Sequence, residues 1–281
     1  MTRRTDDRSV LALPSLAVFG VFFVLPMLYL VVMSFWRLRL YRLEPAFIIK
    51  NYALTVSDYG ESILFTIALA FVVGSLTTLL AYGFAFALRF RSGRWGDAYL
   101  FITLVTLFGG YLVKIYAWKT ILGNGGILNT GLMTLGLIDE PITWFLFSPV
   151  AVVITLIHFL LPFAVLPIYG ALRNVDPRHL EAARDLGARP RRVFRDIVLP
   201  QTQAGLVAAF TLAFLYSAGD YVTPRLVGGP NIQMVGTFIE SQFVQRLNMP
   251  QGAAMAITTM AACVVFLLLT VAALRATLRQ R

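Results

Sequence analysis

Two groups of residues in this chain have types and spacings that could do chemistry, and in both the chemistry is electrostatic and mechanical rather than covalent. The first is the stretch 176–200, DPRHLEAARDLGARPRRVFRDIVLP. Asp176 can accept hydrogen bonds from the free N–H groups of a helix start, and Pro177 suits the first turn, where a missing N–H costs nothing. Leu180, Ala183 and Leu186 make a short apolar face, and Gly187 stands where such a helix would end in the left-handed conformation. Pro190 can open a second helix carrying Val193, Phe194 and Ile197 at helical spacing, with Pro200 closing it. The expectation is two short basic helices meeting at a glycine bend. The second group is Asp220, near the end of an apolar segment, with Tyr216, Tyr221, Tyr116 and Trp118 as aromatic faces that attract cations. Asp220 could line a pathway, since a carboxylate in low-dielectric surroundings needs a cation, a hydrogen-bond donor or water, or it could cap or kink the end of the segment beside Gly219 and Pro224. The aromatics could equally anchor span ends at a bilayer surface.

Other chemistries lack their residues. There is no HExxH, no GxSxG and no pair of catalytic carboxylates in the apolar runs, so hydrolysis has no candidate there. A Gly-rich phosphate loop ending in Gly-Lys-Ser/Thr is missing too, and the chain is not expected to hydrolyse ATP by itself. The two histidines, His158 and His179, form no metal-ligand cluster, and the single cysteine, Cys263, reads as a small packing residue.

The elements that must position these residues are apolar segments of membrane length. The 281 residues are 58% hydrophobic and 14% charged, with a mean hydropathy of +0.74, which excludes an ordinary soluble domain. Six runs, 10–35, 62–88, 98–122, 148–172, 203–222 and 253–274, are each near the length that crosses a bilayer. The first exceeds a signal-peptide core of about 7 to 15 residues and reads as a retained span. Gly74, Ser75, Ala81, Gly83 and Ala85 give the second a surface for close packing. Lys114 and Lys119, near the far end of the third, are expected to snorkel to the interface, and His158 on the fourth to pack without a role. Residues 36–61 read as a loop or surface helix, 123–147 as a loop without lysine or arginine, and 223–252 as an outer loop. The fold class expected is all-α integral membrane, one transmembrane domain over 1–281, with a loop at 173–202 between spans four and five.

Two arginine-rich helices at a glycine also describe a helix-turn-helix DNA reader. Membrane-length runs begin a few residues away on either side, so a duplex could not approach, and no nucleic-acid partner is expected. The spacing is more specific: Glu181, Ala182, Ala183, three residues, Gly187, nine residues, Ile197, one residue, Leu199 and Pro200. At all seven positions this resembles the EAA signature of permease subunits of bacterial ATP-binding cassette importers. The segments IYAW (115–118), LGNGGILN (122–129), LLPFAVLP (160–167) and SAGDYVTPRLVGG (217–229) follow the order seen in the spermidine/putrescine-type branch, as its first permease subunit.

The resemblance, over roughly residues 10–275, implies a six-helix importer permease in which 173–202 is a cytoplasmic coupling loop. Glu181 would face an ATPase, Ala182 and Ala183 would permit close approach, Gly187 would supply the bend, and Ile197, Leu199 and Pro200 would complete the coupling set. It further implies an ATP-binding cassette ATPase dimer, a second permease subunit and a substrate-binding protein as partners. ATP and Mg would be bound by the ATPase, with no cofactor in this chain. The cargo implied is a polyamine, although the branch also moves other small polar nitrogen compounds, phosphonates and metal-bearing anions. Asp220, Tyr221, Tyr216 and Trp118 are then the candidates for the substrate pathway.

Charge gives an independent test of orientation. With six spans both termini share a side, and that side holds sixteen arginines, seven of them between Arg173 and Arg195; the other holds six basic residues, with Lys114 and Lys119 near it. By the positive-inside rule the termini and the 173–202 loop are cytoplasmic, the side on which a loop meeting an ATPase must lie. The expected location is the bacterial cytoplasmic (inner) membrane, as a multi-pass protein. A rival reading is an ion-coupled secondary transporter, for which Lys114, Asp220 and the prolines would be the features. The halves of the chain show no strong internal repeat, and the EAA spacing has no reason to occur there.

Overall fold

The computed structural model describes residues 6–40, 42–230 and 232–279, with side chains between residues 13 and 274. Of the arginines counted above, Arg3, Arg4 and Arg281 lie outside the described residues, and Arg8, Arg275 and Arg279 are described in backbone only.

In chain order the elements are α1 (Asp6–Phe19), a π-helical turn (Gly20–Val24), α2 (Leu25–Met33), an antiparallel hairpin of β1 (Arg37–Arg39) and β2 (Arg42–Glu44), and the long α3 (Lys50–Phe90). Next come α4 (Gly96–Val105), α5 (Tyr111–Leu122), α6 (Ile127–Thr134) and α7 (Pro149–Arg173). The 173–202 region contributes α8 (Pro177–Asp185), α9 (Pro190–Val193), a π-helical turn (Phe194–Val198) and α10 (Leu199–Gln201). The chain continues through α11 (Gln203–Gly219), a π-helical turn (Pro224–Gly228), α12 (Val235–Val244) and α13 (Met249–Arg279).

Among the described residues, four stretches, Leu13–Met33, Lys50–Phe90, Pro149–Arg173 and Met249–Leu274, are long and apolar enough to cross a membrane, and two bent pairs bring the number to six if each is one span. The third expected span is thus not straight. It is Gly93–Phe108 followed by Tyr111–Thr134, turned by 93°. Gly109 and Gly110 adopt ψ of 114° and 144°, leaving the helical region at two residues with little helical preference. The second bent pair, Pro190–Gln201 and Gln203–Gly219, turns by 67° where the loop feeds the fifth span. Pro200 therefore does not close the second loop helix. The five-residue π turn before Leu199 admits the proline ring, as a second π turn does before Leu25 and Pro26, and the helical path continues to Gln201.

The described residues form two compact units, one of residues up to Glu61 with Phe238–Ala261, the other of Ser62–Thr237 with residues from Ala262 onward. In the first, the start of α3 is helical, as the surface-helix alternative for this region allows, but it runs unbroken into the second span, and its polar residues are satisfied by neighbours. Asn51 Nδ2 donates to the carbonyls of Ser34 (2.8 Å) and Trp36 (2.9 Å), and Gln251 Nε2 donates to Asn51 O (3.2 Å) and Thr55 Oγ1 (3.0 Å).

In the second unit α7 packs along α11. A Cβ on Gly205 would lie 2.7 Å from both Ala171 Cβ and Pro167 O, so the contact requires glycine. The expected small-residue face of α3 holds in part: Ala81 and Ala85 are fully buried and Gly74 meets Phe210 and Phe214, whereas Gly83 faces open space. Two cores result. One, with Tyr82, Ile168, Leu172 and Ala209, underlies α8 to α10; the other, with Val73, Ile115, Leu156 and Phe159, underlies α5 and the exit of α11.

Candidate functional site

The loop helices are built as their sequence dictates. Asp176 caps α8 by accepting from Arg178 N–H at 2.9 Å, and Pro177 occupies the first turn. Gly187 takes φ +76°, and its N–H and that of Ala188 return to Arg184 O (2.8 Å) and Ala183 O (2.9 Å), closing the helix end. Leu180, Val193 and Val198 are buried, with Ala183, Phe194, Ile197 and Leu199 packed on the same core; Phe194 meets the rings of Tyr82 and Phe86 edge-on. Of the expected coupling residues, Ala183, Ile197 and Leu199 thus face this chain's own interior, and Glu181, Ala182, Gly187 and Pro200 are exposed. Leu186 departs from the expected buried face. It is 88% exposed, because the glycine bend begins there and carries its side chain off the core. An apolar side chain therefore stands beside the outward row on an otherwise charged loop.

The second site forms where α5, α7 and the exit of α11 meet. Asp220, 7% exposed, follows the last residue of α11. Its Oδ1 accepts from Tyr111 Oη (2.6 Å) and from the N–H groups of Val222 (2.9 Å) and Thr223 (3.4 Å). Tyr111 has one hydroxyl proton and gives it to Asp220, so the 2.7 Å contact with Thr223 is donated by Thr223 Oγ1. Asp220 stands at the C-terminal boundary of the fifth span, its side chain caps the helical turn that follows, and its contact with Tyr111 ties that boundary to α5. Its Oδ2 is buried without a hydrogen-bond partner among the described residues.

Aromatic rings surround this carboxylate. Tyr111 packs on Phe159 (centroids 4.7 Å apart) and Tyr216 (6.1 Å), and Phe159 packs on Tyr216 (5.0 Å). One turn along α5 from Tyr111, Lys114 is buried rather than snorkelling, and its Nζ sits 5.3 Å over the Phe159 ring without a hydrogen-bond partner among the described residues. Trp118 Nε1 donates to His158 Nδ1 at 3.0 Å, which requires the neutral Nε2–H form of that histidine and gives His158 a partner the sequence did not indicate. Of the four expected pathway residues, Asp220 and Tyr216 share the cluster and Trp118 lies along the same helix as Lys114. Tyr221 and Tyr116 are exposed outside the ring contacts. A buried carboxylate oxygen beside aromatic faces is chemistry for an organic cation.

Residues 83–280 match the family described as binding-protein-dependent transport system inner membrane component. The chain belongs to that family. This permease is 34% identical over 221 residues to a spermidine/putrescine transport system permease protein, PotB, of Haemophilus influenzae, covering 78% of this chain and 77% of the relative. It is 35% identical over 213 residues to the PotB of Escherichia coli, covering 75% and 77%. Its fold matches a chain in the crystal structure of a bacterial alginate importer in complex with a periplasmic protein carrying an alginate pentasaccharide, at a TM-score of 0.73 and 17% identity, covering 95% of this permease and 93% of that chain.

Tyr111, Thr223, Phe159 and Lys114 complete the permease's cluster, and the sequence singled out none of them for the pathway. A signal was present: Tyr111, Lys114 and Trp118 lie at i, i+3 and i+7, on one face of a helix.

Proposed function

We propose that this permease carries polyamines through an ATP-driven importer in the bacterial cytoplasmic membrane, with both termini and the loop 173–202 on the cytoplasmic side. A substrate-binding protein delivers cargo at the outer face. A second permease subunit completes the pathway, and an ATPase dimer, which binds the ATP and Mg, docks on the loop. This chain needs no cofactor. For the docking role the support is the exposed row of Glu181, Ala182 and Leu186, set on helices anchored from beneath by Ala183, Ile197 and Leu199. Movement of so anchored a loop is transmitted directly into α3, α7 and α11, whose residues share its core. For the cargo the support is the identity with polyamine permeases over three quarters of the chain.

The observation that carries the pathway assignment is Asp220 Oδ2, a buried carboxylate oxygen without a partner, next to Tyr111 and Tyr216. An amino group arriving there is drawn to carboxylate and rings together, and a bare carboxylate in low-dielectric surroundings gains most from a cation. Lys114 favours a second reading, a cargo that also carries an anionic group, such as an amino-acid derivative or phosphonate. Purification from native membranes followed by uptake in proteoliposomes tests the proposal. Co-purification of an ATPase and a second permease, with ATP-dependent spermidine uptake, is expected. Uptake driven by an ion gradient without either partner would reject it.

A further inference from the structure

We propose that Lys114 is a tethered competitor for the cargo, its own ammonium group holding the aromatic face that a cationic cargo has to take over. This rests on the reading of the cargo as an amine. Lys114 is 6% exposed, has no hydrogen-bond partner and lies 5.3 Å over Phe159. A buried ammonium without a counter-ion is costly, and the ring face returns only part of that cost. The ring beneath Lys114 packs on Tyr111, whose hydroxyl donates to Asp220, so the same aromatic cluster that holds the ammonium also holds a carboxylate. Lys114 and Asp220 nevertheless form no ion pair among the described residues, and Asp220 Oδ2 keeps no partner.

A lysine end is an alkylammonium, chemically the same as the end of a polyamine. The cluster therefore already displays, on this chain's own side chain, half of the contact that a cargo amine would make. A free cargo amine can satisfy ring and carboxylate together, which Lys114 in this position does not, and that advantage lets it displace the lysine. Inorganic cations lack the alkyl body that packs against the rings, so Lys114 sets a threshold that favours organic amines. Its Cε lies beside Gly109, 3.7 Å from where a Cβ there would sit, at the 93° turn between α4 and α5. The lysine stem thus lies against the bend itself.

Equilibrium dialysis of n-butylammonium against the purified complete complex tests this, because the probe imitates an amine end without being a polyamine. Lys114→Met keeps the stem and removes the charge. It is expected to bind the probe about tenfold more tightly than the wild type, within the range of an ammonium–ring contact, while Lys114→Arg stays at the wild-type value. A purely structural lysine would instead weaken assembly and binding together. Equal or weaker binding by Lys114→Met overturns the proposal; if that variant fails to assemble, Lys114→Gln is judged by the same criterion. Spermidine uptake by the wild-type complex is measured separately. Its failure removes the polyamine reading, while the role of Lys114 stands or falls on n-butylammonium binding alone.

Discussion

At the scale of single residues, Asp220 has one oxygen held by hydrogen bonds and one proposed for the cargo, and the two roles can be separated. Asparagine keeps an Oδ1 that accepts from Tyr111, Val222 and Thr223 but loses the negative charge; alanine loses both. Asp220→Asn is expected to leave assembly with the ATPase intact and lower spermidine uptake by about tenfold or more, the loss of a charge-assisted contact. Asp220→Ala should also destabilise the permease by on the order of 3 kcal/mol, seen as a lower melting temperature, since it leaves several buried donors unmet. Normal uptake by Asp220→Asn would restrict Asp220 to capping. Its place at a break was legible beforehand because Gly219 and Pro224 flank it. The partner was not, because Tyr111 lies 109 residues away and only packing brings it there. Lys114 misled for a related reason: hydropathy places a lysine near a span end but does not say which way the backbone turns beneath it.

At the scale of elements, the loop was the most legible part of the chain because its devices are local. The Asp176 cap, the proline starts and the left-handed Gly187 each depend on a few neighbouring residues, and all stand as expected. The third span was less so. Summed hydropathy treats 98–122 as one rod, whereas Gly109 and Gly110 turn it through 93°, and the glycine pair was the available warning. Two outcomes follow from the loop's construction. Gly187→Pro forces φ to about −65° where the chain needs +76°, and should break the α8–α9 turn. Glu181→Ala leaves the fold alone and alters only an exposed side chain. Both should raise the ATP hydrolysed per molecule of cargo imported, Gly187→Pro by more, when hydrolysis and uptake are followed in the same proteoliposomes. Unchanged stoichiometry in both would remove the docking role. Packing between spans supplies a third outcome: Gly205→Leu drives a side chain into Ala171 and the Pro167 carbonyl, and the complex should fail to assemble.

At the scale of the whole molecule, charge distribution and loop design bear on one question, the side of the membrane on which the loop lies. Seven arginines between Arg173 and Arg195 would be held on the cytoplasmic side by the same rule that orients other membrane proteins, and a loop meant to meet an ATPase has to be there. The hydrophobic pattern alone does not decide it, since an apolar span reads the same in either direction. The chain offers a clean way to ask. Its single cysteine, Cys263, is 4% exposed and is replaced by serine as a precaution. A cysteine at Leu186 then reports the loop, and one at Leu137, 67% exposed in the segment free of lysine and arginine, reports the opposite side. In intact cells a membrane-impermeant maleimide is expected to label Leu137→Cys and spare Leu186→Cys. In inside-out vesicles the pattern should reverse, and adding the ATPase should then protect Leu186→Cys, because Leu186 is an 88% exposed apolar side chain on the loop where the two proteins would meet. Labelling of Leu186→Cys from outside would invert the topology and with it the coupling role, whereas labelling from inside that the ATPase leaves unchanged would keep the topology and move the docking surface elsewhere on the loop.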